Sequence, residues 1–237
     1  MEIIKPKIIV RKPMYESLCE ANKRIEWLAD GARIAYQSFE KKTGFESEER
    51  ILRNCIKNGH TSVLEHAVLS YDFICDRGLS HELVRHRIAS YTQESTRYVK
   101  YNNENMEFIR MIEFHPVNEE RITDETRKLE HFWKTSCETS EIDYNKMMSS
   151  GAQAQTARSV LNNSIKTHIR ITRNFRNMRE FLILRCASNA HPHAKELCIP
   201  LLLHLKSYFP CIFEDISYDE KFLKDYIGDW SKYIEIE

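Results

Sequence analysis

Glycine and proline are scarce, six of each in 237 residues, which argues against a loop-rich architecture and for long helices with short connections. No glycine-rich dinucleotide loop is present, so the fingerprint of the doubly wound nucleotide-binding folds is missing. Net charge is missing too: thirty-five basic and thirty-five acidic residues cancel, leaving no global field to draw in nucleic acid or an anionic membrane. No run of eighteen apolar residues occurs, and the opening M-E-I-I-K-P-K-I-I-V lacks the charged start and long apolar stretch of a signal peptide. The expectation is a soluble, cytoplasmic protein without a membrane partner. Seven cysteines, an odd number with no C-x-x-C spacing, suit reduced thiols better than a disulfide framework. No Gly/Ser/Pro-rich linker divides the chain, so one domain is expected over 1–215, with the aromatic, acidic stretch 216–237 as an appendage to it.

What is there is mostly helical spacing broken by short alternating runs. Lys5 to Arg11 alternates as a strand ended by Pro13, and Val68 to Cys75 alternates as another. Helical spacing runs from Ile25 to Tyr36, through Ile51, Leu52 and Ile56, along an amphipathic stretch from Asn118 to Ser149, and from Ala152 to Leu161. Phe108 to Met111 adds a short strand, and Ile165, Thr167, Ile169 and Ile171 alternate as a strand with one buried face. A helix from Asn174 to Ala187 follows, then a core helix from Leu197 to Leu205.

The most unusual stretch is L-S-H-E-L-V-R-H-R-I-A-S-Y-T-Q-E-S-T-R-Y, Leu79 to Tyr98. Ser80 to Ile88 reads as a short helix capped by Ser80, with Arg87 sharing the apolar side of Leu83 while Arg85 and His86 project away. Tyr91 to Tyr98 reads as extended chain, with Gln93, Ser95 and Arg97 on one face and Glu94, Thr96 and Tyr98 on the other. This donor array matches phosphate and a polar ring; a surface helix followed by a solvated edge strand accounts for it equally well. Arg185 falls on the stripe of Met178 and Phe181, so it points inward and needs a buried acceptor. Glu180 lies four residues after Arg176, the spacing of an ordinary surface pair.

Ten histidines raise a metal reading. His81 and His86 nearly reproduce the zinc-protease spacing, but five residues apart they diverge by about 140° on a helix. His191 and His193 flank Pro192 with no third ligand placed by spacing, so no metal is expected. A metal-dependent hydrolase and an arginine-rich nucleic-acid module remain as alternatives from other classes.

Arg85-His86-Arg87, seven intervening residues, then Ser95 and Arg97 resembles the signature of the flavin-dependent thymidylate synthases. The blocks H-T-S-V-L-E-H at His60 to His66, A-R-S-V-L at Ala157 to Leu161, and N-F-R with L-R between Asn174 and Arg185 resemble that family in the same order, over roughly residues 25 to 205. The resemblance implies an α+β fold, an antiparallel sheet flanked by long helices, in a homotetramer whose sites take residues from several chains. It implies FAD held by Ser62, Arg85, His86, Arg87, Gln93, Asn174, Phe175, Arg176 and Glu180, with His191 added. It implies dUMP met by Glu82, Leu83, Val84, Arg85, Gln93, Glu94, Ser95, Thr96, Arg97, Arg158 and Arg185, with Arg185 catalytic. The implied reaction is methylation of dUMP to dTMP with 5,10-methylenetetrahydrofolate as carbon donor and NADPH as reductant of the flavin. This chain departs from the family pattern at Glu82, where many members have Gln, at Gln93, where many have Glu, at Glu180, where many have Asn or His, and at Asn162, where many have Pro.

Overall fold

The computed structural model describes residues 1–11, 17–101 and 106–237; the expected strand stop at Pro13 falls outside them. In chain order the elements are β1 (Glu2–Ile4), β2 (Lys7–Val10), α1 (Leu18–Tyr36), α2 (Phe45–Lys57), β3 (Val68–Asp76), α3 (Arg77–Leu83), β4 (Ser90–Gln93), β5 (Glu107–Ile109), α4 (Asp124–Ser149) and α5 (Ala154–Ala157). They continue with β6 (Lys166–Asn174), α6 (Phe175–Arg185), α7 (Pro192–Tyr208), α8 (Pro210–Phe213), α9 (Glu220–Phe222) and β7 (Ile234–Ile236). The chain is thus an α+β protein, a sheet with helices packed on it.

Five strands form the main sheet in the order β4-β6-β3-β2-β7. The long pair β3 and β6 is antiparallel from Val68 opposite Asn174 to Asp76 opposite Lys166, and every second residue of β6 is buried. β4 and β2 add antiparallel edges to this pair, but β7 lies parallel to β2, so the sheet is mixed rather than wholly antiparallel. That last strand comes from the tail. Ile216, Phe222, Ile227 and Tyr233 are buried in the same core as α1, α6 and α7, so residues 216–237 are built into the sheet and its core rather than appended. Their apolar side chains are interspersed with acidic and lysine residues, which hides the burial from composition.

α1 starts on Ser17, whose side chain accepts from the Glu20 backbone N–H, and buries Ala21, Ile25, Leu28, Ala29 and Ala32. α4 begins at Thr123, which forms a capping box with Thr126; the expected stretch from Asn118 is a separate 3₁₀ turn at Glu119–Arg121. Its buried Cys137 and Tyr144 join Met106, Phe108, Ala157 and Ile165 in a second, smaller core. The small-residue helix expected from Ala152 to Leu161 is only one turn of α-helix, followed by a 3₁₀ turn at Arg158–Val160. Six cysteines are buried and Cys19 is exposed; all seven are free thiols. Among the described residues no helix is long and apolar enough to cross a membrane.

Candidate functional site

α3 is where the structure departs most from the sequence reading. Its cap is Asp76, whose Oδ1 accepts from the Leu79 N–H at 2.7 Å, and not Ser80, which is buried one turn further on. Gly78 leaves room for this carboxylate: a Cβ there would stand 2.9 Å from Asp76 Oδ1. The helix ends at Leu83, and Arg85 to Ile88 form a loop whose Ile88 has a φ of 62°. The faces expected of His86 and Arg87 therefore reverse, while Arg85 projects outward as expected. Arg85 and Arg87 are exposed, with no ion-pair partner among the described residues, while His86 turns inward and meets Phe181 edge-on at 5.0 Å.

Arg185, at the end of α6, reaches this loop. Its Nη1 donates to Glu82 Oε2 at 2.6 Å, its Nη2 to the Glu82 carbonyl at 3.4 Å, and its Nε to His86 Nε2 at 2.8 Å. The acceptor expected for a cation on an apolar stripe is thus a half-buried carboxylate together with an imidazole. Because Nε2 accepts, His86 is neutral and carries its proton on Nδ1. Burial, then the facing Arg185 and Arg173 guanidinium groups, lower its pKa to about 4. His191, the cap residue of α7, stands with Nδ1 3.7 Å from Glu82 Oε1.

Beneath the loop lies Arg173, which the sequence reading missed. The residue is 2% exposed; its guanidinium covers the Phe181 ring at 4.3 Å and donates to the Leu83 carbonyl, the His86 carbonyl and the Tyr91 hydroxyl. A signal was present, since Arg173 continues the buried alternation Thr167, Ile169, Ile171 two residues beyond where the apolar pattern stops.

The remaining expected residues fall into three regions. A cavity of about 460 Å³ is lined by Tyr36, Cys55, His60, Thr61, Ser62 and Arg176 among others. Arg176 is held there by Glu65 at 2.6 Å and by Glu180 at 3.3 Å, so Glu180 is in the surface pair its spacing predicts. A second cavity, about 410 Å³, brings Arg158 and Thr96 together with Arg77 and His81; Arg158 Nη1 donates to the Thr96 hydroxyl at 3.3 Å. Gln93 and Glu94 line a third, about 600 Å³, beside Asp72, Lys166, His168 and Arg170. The Gln93 amide is taken up by Ser80 and Thr167, and Glu94 accepts from the His168 N–H.

Three expected site residues have their side chains engaged within the chain, and one expected segment folds differently. Phe175 is wholly buried against Phe209 and Phe213, and Leu83 is wholly buried as well, so only their backbones can face a ligand. Asn174 spends its side chain on the Asn177 N–H as the cap of α6. The extended array Gln93-Ser95-Arg97 does not form, because the Val99 and Tyr98 N–H groups close a turn on the Ser95 carbonyl. Arg97 and Val84 remain exposed on either side of that turn and the R-H-R loop.

A flavin dinucleotide and a nucleotide monophosphate both need cations that are not already neutralised. Arg85, Arg87 and Arg97, which have no ion-pair partner among the described residues, meet that need, and Ser62 and Thr61 offer hydroxyls at a cavity wall. Arg176 must share itself with Glu65 and Glu180. The donor set fits an anionic, flat ligand, although in one chain it is spread over separate cavities.

Comparison with known proteins defines the class. The family model described as "Thymidylate synthase complementing protein" matches residues 17–211. The flavin-dependent thymidylate synthase of Geobacter sulfurreducens is 32% identical over 194 residues, which cover 79% of this chain and 80% of that protein. That of Pyrococcus furiosus is 34% identical over 185 residues, 75% of this chain and 72% of that one. In fold, the chain resembles the UMP/dUMP methylase PolB of Streptomyces cacaoi, solved with 5-Br dUMP, with a TM-score of 0.72 over 90% of this chain and 96% of that one at 18% identity. The chain belongs to the flavin-dependent thymidylate synthase family.

Proposed function

We propose that this protein converts dUMP to dTMP, taking the one-carbon unit from 5,10-methylenetetrahydrofolate, with FAD as cofactor and NADPH as its reductant, in the cytoplasm. The observation that carries the reading is the R-H-R loop itself: two exposed arginines without counter-ions among the described residues flank a histidine that is bonded to an inward arginine. Bound flavin supplies the hydride chemistry. The chain's own residues bind, align and polarise.

Arg85 and Arg87 offer paired-phosphate contacts from the loop, with Ser62 and Arg176 at the neighbouring cavity and His86 fixed between them. Arg158, with Thr96 and Arg97, suits the dUMP phosphate. Arg185 suits the uracil ring, where a cation beside N3 and its carbonyls favours the ionised, more nucleophilic base. To do so its Nη1 must exchange the Glu82 carboxylate for the ring, while Nη2 stays on the Glu82 carbonyl and Nε on His86. Ser95 suits hydrogen bonding better than nucleophilic attack, as its hydroxyl already accepts from the Arg97 N–H.

A homotetramer with shared sites belongs to the same reading. The proposed FAD and dUMP residues lie in separate regions of one chain, and Val84, Ile88, Ile183 and Leu184 are exposed apolar side chains around Arg185. The test is a purified protein that is yellow, sediments as a tetramer, and in a single turnover oxidises its reduced flavin on addition of dUMP and methylenetetrahydrofolate. A colourless protein, or one whose flavin ignores dUMP, overturns the reading; a flavin-saturated monomer overturns the shared site.

A further inference from the structure

His193 lies outside the arrangement just described. It is the second residue of α7, 4% exposed, and its Nδ1 stands 2.8 Å from Asp76 Oδ2 while its Nε2 stands 3.5 Å from Glu113 Oε2. Asp76 uses its other oxygen to cap α3. One carboxylate therefore ties the start of α7 to the start of α3.

An ionised carboxylate can only accept, so His193 donates through Nδ1. A neutral ring would then turn the lone pair of Nε2 toward Glu113, which is unfavourable. Burial alone would lower the pKa; the bond to Asp76 and the nearby Glu113 carboxylate outweigh it and hold the group at about 10. The other titratable groups facing it are Glu196 on α7 and the His191 ring at 5.2 Å, and Glu196 is itself met by Arg110 at 3.0 Å. The pair of carboxylates nearest the ring decides its state.

Glu82 lies six residues beyond Asp76, about 9 Å along α3 at helical rise, and it is the residue that holds the Arg185 fork. His191, immediately before α7, is the other neighbour of Glu82. Tilting α3 on α7 would move Glu82 relative to both. The far end of α3 is held separately, by Arg173 on the Leu83 carbonyl.

We propose that His193 is a positioning residue for the methylation reaction: through Asp76 it seats α3 on α7 and so sets where Glu82 places the Arg185 guanidinium. This rests on the functional reading above. It assigns His193 no contact with substrate or flavin.

The test compares His193→Asn, which keeps a donor near the Nδ1 position, with His193→Ala, each in a Glu113→Gln background that removes the stranded carboxylate. Flavin-loaded, assembled proteins are assayed for melting temperature, KM for dUMP and single-turnover rate. The expected result is a loss of about tenfold or more in rate for the Ala form, with KM for dUMP within about threefold and recovery of most of the rate in the Asn form. Equal rates for the Asn and Ala forms at equal melting temperature overturn the proposal. Should the Ala form not accumulate, His193→Gln takes its place, because its longer amide overshoots Asp76; Asn no faster than Gln overturns it equally. A parent protein that does not turn over at all overturns the functional reading and this inference with it, whereas an active parent beside an equally active Ala form overturns the inference alone.

Discussion

His86 and His193 sit at opposite ends of the α3 region, both at least partly buried and both hydrogen-bonded through one ring nitrogen, yet they are driven in opposite directions. His86 faces two guanidinium groups and is held at about 4; His193 faces two carboxylates and is held at about 10. Burial lowers the pKa of each, so the difference comes from their partners. One histidine is a neutral acceptor that steadies a candidate catalytic arginine. The other is a buried cation that steadies the helix beneath it.

The largest expected effect follows from that contrast. His193 has a folded pKa above its unfolded value, so its stabilisation is complete below about pH 6.5 and is lost as pH rises through about 10. The full shift is worth on the order of 3 to 5 kcal/mol. His86 has a folded pKa below its unfolded value, so the unfolded chain takes up the proton first and stability is lost as pH falls from about 6.5 toward 4. Melting temperature against pH should therefore fall on both sides of neutrality. His193→Asn should flatten the alkaline side alone and His86→Asn the acid side alone; a profile in which either variant changes both sides would break the comparison.

Next in size is Arg185→Lys. Lysine lacks the planar fork and the Nε donor, so it cannot hold His86, Glu82 and a uracil ring together. Single turnover with saturating dUMP should slow by roughly a hundred- to a thousand-fold, about 2.7 to 4 kcal/mol, with the fold and flavin kept. Arg158→Ala should instead raise KM for dUMP with little change in the saturated rate, if its contact is equal before and during reaction. An Arg185→Lys protein that binds dUMP and turns over at the parent rate would sink the assignment.

These cations also show how far the sequence could be read. Arg185 was legible as an inward cation because helical spacing places it on the stripe of Met178 and Phe181, and the long β3–β6 pair was legible because both strands alternate. A helix starting at Ser80 misplaces Arg87, because the Asp76 carboxylate caps the helix earlier and the helix stops at Leu83, before the R-H-R loop. Once the helix ends, helical spacing no longer says which side chain faces in. His193 and Glu82 owe their partners to residues far away in the chain, and no local pattern signals a tertiary pair. β7 escaped notice because it pairs with a strand at the other end of the sequence.

Arg173→Met tests whether the loop is held from below. The change keeps an unbranched apolar side chain over Phe181 but leaves the Leu83 carbonyl only the His86 N–H and a share of the Tyr91 hydroxyl, and the His86 carbonyl only the other share of that hydroxyl. Unsatisfied buried acceptors cost about 1 to 3 kcal/mol, so chemical denaturation should show a loss of roughly 2 kcal/mol with the slope unchanged. Because the His86 ring depends on that backbone, the Arg173→Met protein should also lose the acid-side inflection assigned to His86. Retention of that inflection at parent pH would mean that the ring is set by Arg185 and Phe181 alone.

The smallest effect on the fold is expected from Arg87→Ala, and it separates an exposed cation from the buried ones. Arg87 has no ion-pair partner among the described residues and its side chain is exposed, so its removal forfeits neither a buried bond nor a packed surface. Stability should stay within about 0.5 kcal/mol of the parent, the usual range for a surface change. If the guanidinium instead meets a flavin phosphate, the same substitution removes a charge-assisted contact worth about 1.5 to 3 kcal/mol, or roughly ten- to a hundred-fold in flavin affinity. Raising the salt concentration should weaken flavin binding by the parent more than by Arg87→Ala, because the variant has one fewer charge to screen. Fluorescence titration of the apoprotein with FAD, beside a thermal melt of the same apoprotein, reads both quantities. A variant that melts well below the parent would place Arg87 with the structural cations after all, and one that binds FAD as tightly as the parent does would remove Arg87 from the flavin site.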